Sequence, residues 1–418
     1  MKKFAKMSLV AAVAVAGLTT TSSAKALEEA IKNVDVSGTV VYRYDDTNYD
    51  DNKKDSDNNK YKIGLNLKSQ VNDDVTAVTR FIVGSSTDAG FVGLNHSNGG
   101  DGQADVTLSN VYFSYTGIAN TTVNVGKQGL TTPWTVAIDA DGNEQTGTGI
   151  LALTNVGPVT IAGAYFNQTN LGDSGLATGL LKDAFDYDIP AEKKDADGAA
   201  SAIGSKNVAT LGVMGNIGPV ALDAWYLDMD NMFDTYTLGA AAKFDLDAVK
   251  LSMGIRHTEV DLDSDTLLTA VGIDKNDDHS LTKVDLGAKM GIFGAKVAYG
   301  WTDSEGGVAA LDADAKTGLN GWQLDLNGVN DASLLKLNVN AQVMPTLNLA
   351  LNYNILDRDG DSDERANKTD KELYLQASYQ MSKNFGGYIR FGQAEFEDAD
   401  EGKDNDGTIG RLQVQYSF

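Results

Sequence analysis

Three groups of charged residues in this chain have the type and spacing to do chemistry. Asp139, Asp141 and Glu144 put three carboxylates close together in one short segment. A scattered basic set, Arg43, Lys62, Lys68, Arg80, Lys127, Lys250, Arg256, Lys289, Lys296 and Arg390, stands among alternating polar and apolar residues. Fixed acids facing fixed bases across a narrow aqueous space set up a transverse field that sorts solutes by size and sign. Asp357, Asp359, Asp361 and Asp363 recur at every second residue around Gly360, and Asp404-Asn405-Asp406-Gly407 follows later. Oxygen donors so spaced suit a hard cation such as calcium. The helix-loop-helix calcium pattern is not met, since counting from Asp357 puts Ser362 where glycine belongs and Lys368 where the closing glutamate belongs. A solvated acidic loop, or one bridged through divalent ions to lipopolysaccharide, fits the same residues.

His96, His257 and His279 are the only histidines, and no serine or aspartate constellation accompanies them in sequence. They specify neither a hydrolytic triad nor a zinc site. His96 and His279 read as loop surface and His257 as a strand end. With no cysteine, the chain has neither disulfides nor thiol chemistry.

The elements that position these residues follow from periodicity. Val34, Val36, Gly38, Val40, Tyr42 and Tyr44 fall on one face and Asp35, Ser37, Thr39 and Arg43 on the other, a period-2 strand. Val249, Leu251, Met253 and Ile255 alternate with Lys250, Ser252 and Arg256 in the same way, and Leu335, Leu337, Val339 and Ala341 with Lys336, Asn338, Asn340 and Gln342. About eighteen such segments run from 34–45 to 409–418; the sixth, 149–155, is the shortest. Connections alternate between very short, as at Asn72-Asp73, Gly218-Pro219, Met344-Pro345 and Ser382-Lys383, and long and acidic, as over 45–59, 167–206, 258–280 and 303–332. Short periplasmic turns and long outer loops describe an all-β, transmembrane antiparallel barrel with the basic set on its lumen wall and the 139–144 carboxylates in its third loop.

The amino end carries Lys2, Lys3 and Lys6, an apolar run from Met7 to Gly17, then small residues to Ala24, the three-part layout of a signal peptide. The apolar run is shorter than the ~20 residues a spanning helix needs. Residues 1–24 are expected to be cleaved, leaving 25–418 as the barrel, with cleavage after Ala26 as the alternative. Losing the three leader lysines takes the net charge from -24 to -27. So acidic a chain is a poor ligand for nucleic acid. Tyrosine and tryptophan gather at strand ends (Tyr42, Tyr44, Tyr165, Tyr299, Trp301, Tyr379), as at a membrane interface. The last strand, Leu412, Val414, Tyr416 and Phe418 alternating with Gln413, Gln415 and Ser417, ends on phenylalanine, which resembles the closing signature of outer-membrane proteins.

Two stretches carry a family resemblance. Leu27-Glu28-Glu29-Ala30-Ile31-Lys32, Val34-Asp35-Val36-Ser37-Gly38 and Tyr42-Arg43-Tyr44-Asp45 resemble the opening of the Campylobacter-type major outer-membrane porins. Gly126-Lys127-Gln128, Leu130, Trp134-Thr135, Ala137-Ile138-Asp139 and Gly147-Thr148-Gly149 are similar to that family's constriction loop, departing from it at Asp141-Gly142-Asn143-Glu144. The resemblance implies an eighteen-stranded barrel, a homotrimer, a third loop folded into the pore and a preference for cations. The function expected is passive diffusion of small hydrophilic solutes and ions through a barrel in contact with outer-membrane lipid and lipopolysaccharide, with no cofactor beyond the calcium considered above. A surface adhesin or structural barrel, an outer-membrane hydrolase and a soluble β-sandwich are the rival readings.

Overall fold

The computed structural model describes residues 34–49, 55–85, 90–93, 105–171, 204–262, 278–304, 306–312, 314–359, 367–397 and 406–418. The leader, 1–24, and both cleavage points lie outside these, as do His96, Asp361, Asp363, Asp404 and Asn405. The strands are β1 (Val34–Tyr49), β2 (Ser56–Gln70), β3 (Val75–Gly84), β4 (Val92–Gly93), β5 (Asp105–Ile118), β6 (Thr121–Gly129), β7 (Thr146–Val156), β8 (Val159–Thr169), β9 (Val208–Ile217) and β10 (Val220–Met229). There follow β11 (Phe233–Leu246), β12 (Val249–Leu262), β13 (Asp278–Met290), β14 (Phe293–Thr302), β15 (Ala332–Met344), β16 (Leu347–Arg358), β17 (Lys368–Ser382), β18 (Phe385–Glu395) and β19 (Gly407–Ser417).

Every strand but β4 pairs antiparallel with its neighbours in a ring of eighteen, and β1 closes the ring by pairing with β19 from Thr39↔Ser417 to Tyr49↔Gly407. The expected strand number is met. Only the two-residue β4, which continues the ladder on β2 beyond β3, went unforeseen. Closure leaves no sheet edge, the one arrangement in which strands can cross lipid with every backbone group paired. Tight turns join strands at one end, and Gly157, Gly218 and Gly291 take the left-handed conformation there.

The two faces of the wall differ in chemistry. Leu238, Ile255 and Leu286 lie on the outward face and are each more than half exposed. A soluble sandwich would not leave such a band in water, so the outward face is a lipid face. Tyr299 and Trp301 mark its loop end; Tyr379, Tyr416 and Phe418 mark its turn end, the last two rings stacked at 5.8 Å.

Two clusters of buried apolar residues lie inside the barrel, in its loop half. One cluster joins Leu130, Trp134 and Leu311 to the wall residues Phe166, Leu227, Met229 and Phe233; a second joins Leu319, Leu324 and Leu326 to Leu281, Leu334 and Leu356. Both are built by loops that fold back into the lumen.

Candidate functional site

The third outer loop, residues 130–145, turns inward because its first residues are apolar: Leu130 and Trp134 bury themselves against the wall as β6 ends. The backbone closes it, with Leu130 N donating to Gln145 O at 2.9 Å and Gly142 N to Asp139 O at 3.0 Å. Gly142 sits at φ +86°, with the Phe91 ring where a side chain would stand. Asp139 serves this fold rather than the water. Its carboxylate accepts bonds from Asn143 N at 2.7 Å and Asn143 Nδ2 at 2.9 Å. Burial raises its pKa above the ordinary carboxylate value, more than those bonds lower it.

Glu144 is held against the wall. Arg80 donates to it through Nε at 2.9 Å and Nη2 at 2.7 Å, Lys62 Nζ lies 2.8 Å away, and Ser109 Oγ donates at 2.5 Å. The glutamate is 1% exposed, Lys62 4% and Arg80 6%. Burial alone would raise the carboxyl, but Arg80 and Lys62 outweigh it and keep Glu144 below its usual pKa. Lys62 also donates to the Gly142 carbonyl, and Arg80 Nη1 to Asn66 Oδ1 at 2.8 Å.

Asp141 behaves differently, because its side chain is 59% exposed to the lumen. Arg43 Nη1 lies 3.0 Å from it and Arg411 Nη1 3.5 Å. Arg43, only 2% exposed, is fixed by Gln413 at 2.8 Å and the Ala140 carbonyl at 2.5 Å, with Phe91 4.3 Å from its guanidinium. Arg411 is fixed by Asp45 at 2.5 Å. The bases are therefore packed into the wall while the acid on the loop faces the water.

The seventh outer loop, residues 303–331, completes the constriction. Its acidic sequence placed it outside with the other long loops; the structure folds it in, because its spaced leucines build the second apolar cluster. Glu372 of β17, 1% exposed, receives Trp322 N at 2.7 Å and Gln323 N at 2.6 Å, while Lys283 donates to Gly318 O at 2.5 Å and Lys336 to Asn320 O. Trp322 then lies edge-on to Tyr374 at 5.2 Å, with the Arg390 guanidinium 4.8 Å from its ring. The two loops are bonded to each other: Leu311 N to Trp134 O at 2.9 Å, Gln145 Nε2 to Leu311 O at 2.9 Å, Val136 N to Asp312 Oδ2 at 3.2 Å, and Ala140 N to Asp314. Burial and then the charge of Asp139 push the Asp312 carboxyl up to about 7, and burial pushes Asp325 up to about 6.

The other basic residues are spread along the lumen. Arg256 is tied to Asp223 at 2.7 and 2.8 Å and to Thr237, while Lys68, Lys250, Lys289 and Lys296 stand exposed on the wall toward the short turns. Lys127 is a correction, since it is not a lumen residue. It stands opposite Val111 and in line with Val125, both outward-facing, and its ammonium turns to the Leu108 carbonyl at 3.1 Å. His279 is a second correction. It lies in β13 and its Nδ1 accepts Val308 N at 3.2 Å, so it supports the seventh loop rather than standing on a loop surface. His257 Nδ1 pairs with Thr282 Oγ1 at 2.7 Å. Asp357 accepts the Thr369 hydroxyl at 2.8 Å and Asp359 N donates to Asp331 O, while their partners Asp361 and Asp363 fall outside the described residues. Sequence reasoning missed Arg411, although it alternates with Leu412 and stands in line with Gln413 and Gln415. It also missed Asp312, Asp314, Trp322 and Glu372, whose roles depend on loop conformation.

Residues 1–404 match the family model described as Campylobacter major outer membrane protein. No curated protein matches the chain by sequence. Solved structures similar in fold include Pseudomonas aeruginosa OccK8 (OprE), 14% identical, covering 93% of this chain and 98% of that one with a TM-score of 0.69. Acinetobacter baumannii OccAB1 is 14% identical over 93% and 97%, TM-score 0.70, and P. aeruginosa OccK2 (OpdF) in complex with glucuronate is 12% identical over 93% and 98%, TM-score 0.67.

Proposed function

The chain belongs to the Campylobacter major outer membrane protein family and is an outer-membrane β-barrel porin, and from that premise we propose that it is a non-catalytic, general-diffusion channel for small hydrophilic solutes and ions that prefers cations and works as a homotrimer. One observation carries the sign of the preference. On the third loop the exposed charge is the Asp141 carboxylate, whereas the wall bases Arg43, Lys62 and Arg80 are almost fully buried and the latter two are matched to Glu144. A solute in the lumen therefore meets a field biased negative, strengthened by the low-dielectric wall. The net charge of -24 adds a diffuse attraction for cations at the mouth, which salt at ~0.15 M screens beyond about 8 Å.

The test is the zero-current potential of single channels in a KCl gradient. Asp141→Asn removes the exposed acid and leaves Arg43 and Arg411 without that counter-charge, so the potential should move toward anions. An unchanged potential, with the barrel intact by gel mobility, would place the selecting charges elsewhere. The number of conductance steps per insertion reports the subunit count in the same recording.

A further inference from the structure

This acidic chain carries a basic patch at the short-turn mouth of its lumen. Lys243 on β11, Lys250 on β12, Lys289 on β13 and Lys296 on β14 line a concavity of about 500 Å³. Its floor is open because Gly287 and Gly294 stand there: a Cβ on the first would come 2.5 Å from Ser252 Oγ, and one on the second 2.9 Å from the Asn340 amide. The strand register sets the lysines in two cross-strand rows, Asp245, Lys250 and Lys289 in one, Lys243, Ser252, Gly287 and Lys296 in the next.

The charges in these rows do not cancel. Asp245 takes Lys250 at 2.7 Å, and Asp285 takes Lys296 at 3.2 Å. Lys243 and Lys289 have no carboxylate within salt-bridge distance among the described residues. Lys250 and Lys289, moreover, lie directly opposite each other, a pairing of like charges that costs stability unless an anion lies between them. Lysine presents a mobile point charge with three donors, suited to a small anion of no fixed geometry. The Ser252 hydroxyl and the Asn340 amide add neutral donors at the edge.

We propose that this concavity is a binding site for small dianions, inorganic phosphate and short dicarboxylates, at the periplasmic mouth of the channel. The proposal rests on the channel reading above and adds to it. A constriction that favours cations slows anions, and a shallow well beyond it gives a dianion a local stopping point on the turn side.

Conduction by the wild-type protein in ~0.1 M KCl, where the screening length is about 10 Å, tests the channel reading by itself. Inorganic phosphate or succinate is then added at pH 7.5 to either side. The expected result is brief, concentration-dependent current interruptions, more frequent when the dianion is added from the turn side. Lys243→Gln combined with Lys289→Gln should cut their frequency about tenfold, as for the loss of two exposed charge contacts, with unheated gel mobility preserved and the channel still conducting. A conducting wild-type channel that shows no interruptions, or a double lysine variant that keeps them, overturns the proposal.

Discussion

Replacing Glu144 by glutamine should unfasten the tip of the third loop without opening the barrel. Among the described residues the carboxylate is the only counter-charge bonded to Arg80 and Lys62, and all three side chains are almost fully buried. The amide keeps the shape and one acceptor but leaves two buried cations unmatched, a change that costs about 3–5 kcal/mol when a buried pair is broken. At 1.4 kcal/mol per tenfold, the released population of the tip should rise by roughly a hundredfold to a few thousandfold. The base of the loop should stay seated, since Leu130 and Trp134 remain in the apolar cluster and Gln145 still reaches Leu311. Asp141→Asn is the control: its carboxylate is largely in water, where such pairs contribute about 0–1 kcal/mol. The assay is single-channel recording with hydrogen exchange on the same refolded protein. The glutamine variant should show noisy, multi-level conductance and fast exchange at residues 139–144, with unheated gel mobility unchanged. A quiet channel of wild-type conductance with protected amides there would refute the idea that Glu144 pins the loop.

Asp312 should make the contact between the third and seventh loops pH-dependent. Its carboxyl titrates at about 7 when docked and near the ordinary aspartate value when free, so docking is strongest below about pH 4 and weakens as pH rises toward 7; Asp312→Asn should give a conductance that varies less across that window than the wild type, the remainder coming from Asp325 and Asp139. Glu372→Gln should loosen the Trp322 tip of the seventh loop by about 1.5–3 kcal/mol, the range for bonds to a charged group, seen as increased exchange at Trp322 and Gln323 and a shifted tryptophan emission. The whole barrel should migrate differently on gels before and after boiling and give a β-type circular dichroism spectrum, and a helical spectrum would contradict the fold.

Much of this architecture was legible in the sequence, because a lipid face and a lumen face force alternation on every strand. The start of β7 was placed three residues late since Thr146-Gly147-Thr148 has no apolar alternation; Thr146 N is held instead by Asn170 Oδ1 at 2.6 Å. Charge alone assigns Lys127 to the lumen wall, whereas its period places it with Val123 and Val125. Asp139, Asp141 and Glu144 were found as a group, but not their division of labour. Whether a loop carboxylate meets water, its own backbone or a buried arginine depends on a few tenths of a nanometre of chain placement, which no local pattern encodes. The seventh loop hid for a related reason: its leucines are separated by acids and glycines at no regular period, so only the completed wall shows what they bury against.

The seam between β1 and β19 bears on biogenesis. Gly38 N bonds Phe418 O at 2.9 Å, Phe418 N bonds Gly38 O at 3.0 Å, and the Phe418 ring occupies the place of a Gly38 side chain. The strands that meet there are separated by all the others, so closure is the strand pairing of greatest sequence separation among the described residues. A message truncated before β19 would yield a sheet with two bare edges, a species prone to pair with others of its kind. Pairing at this seam thus removes both edges that the open sheet would expose, so the same few residues that complete the wall also withdraw its surface for pairing with other chains.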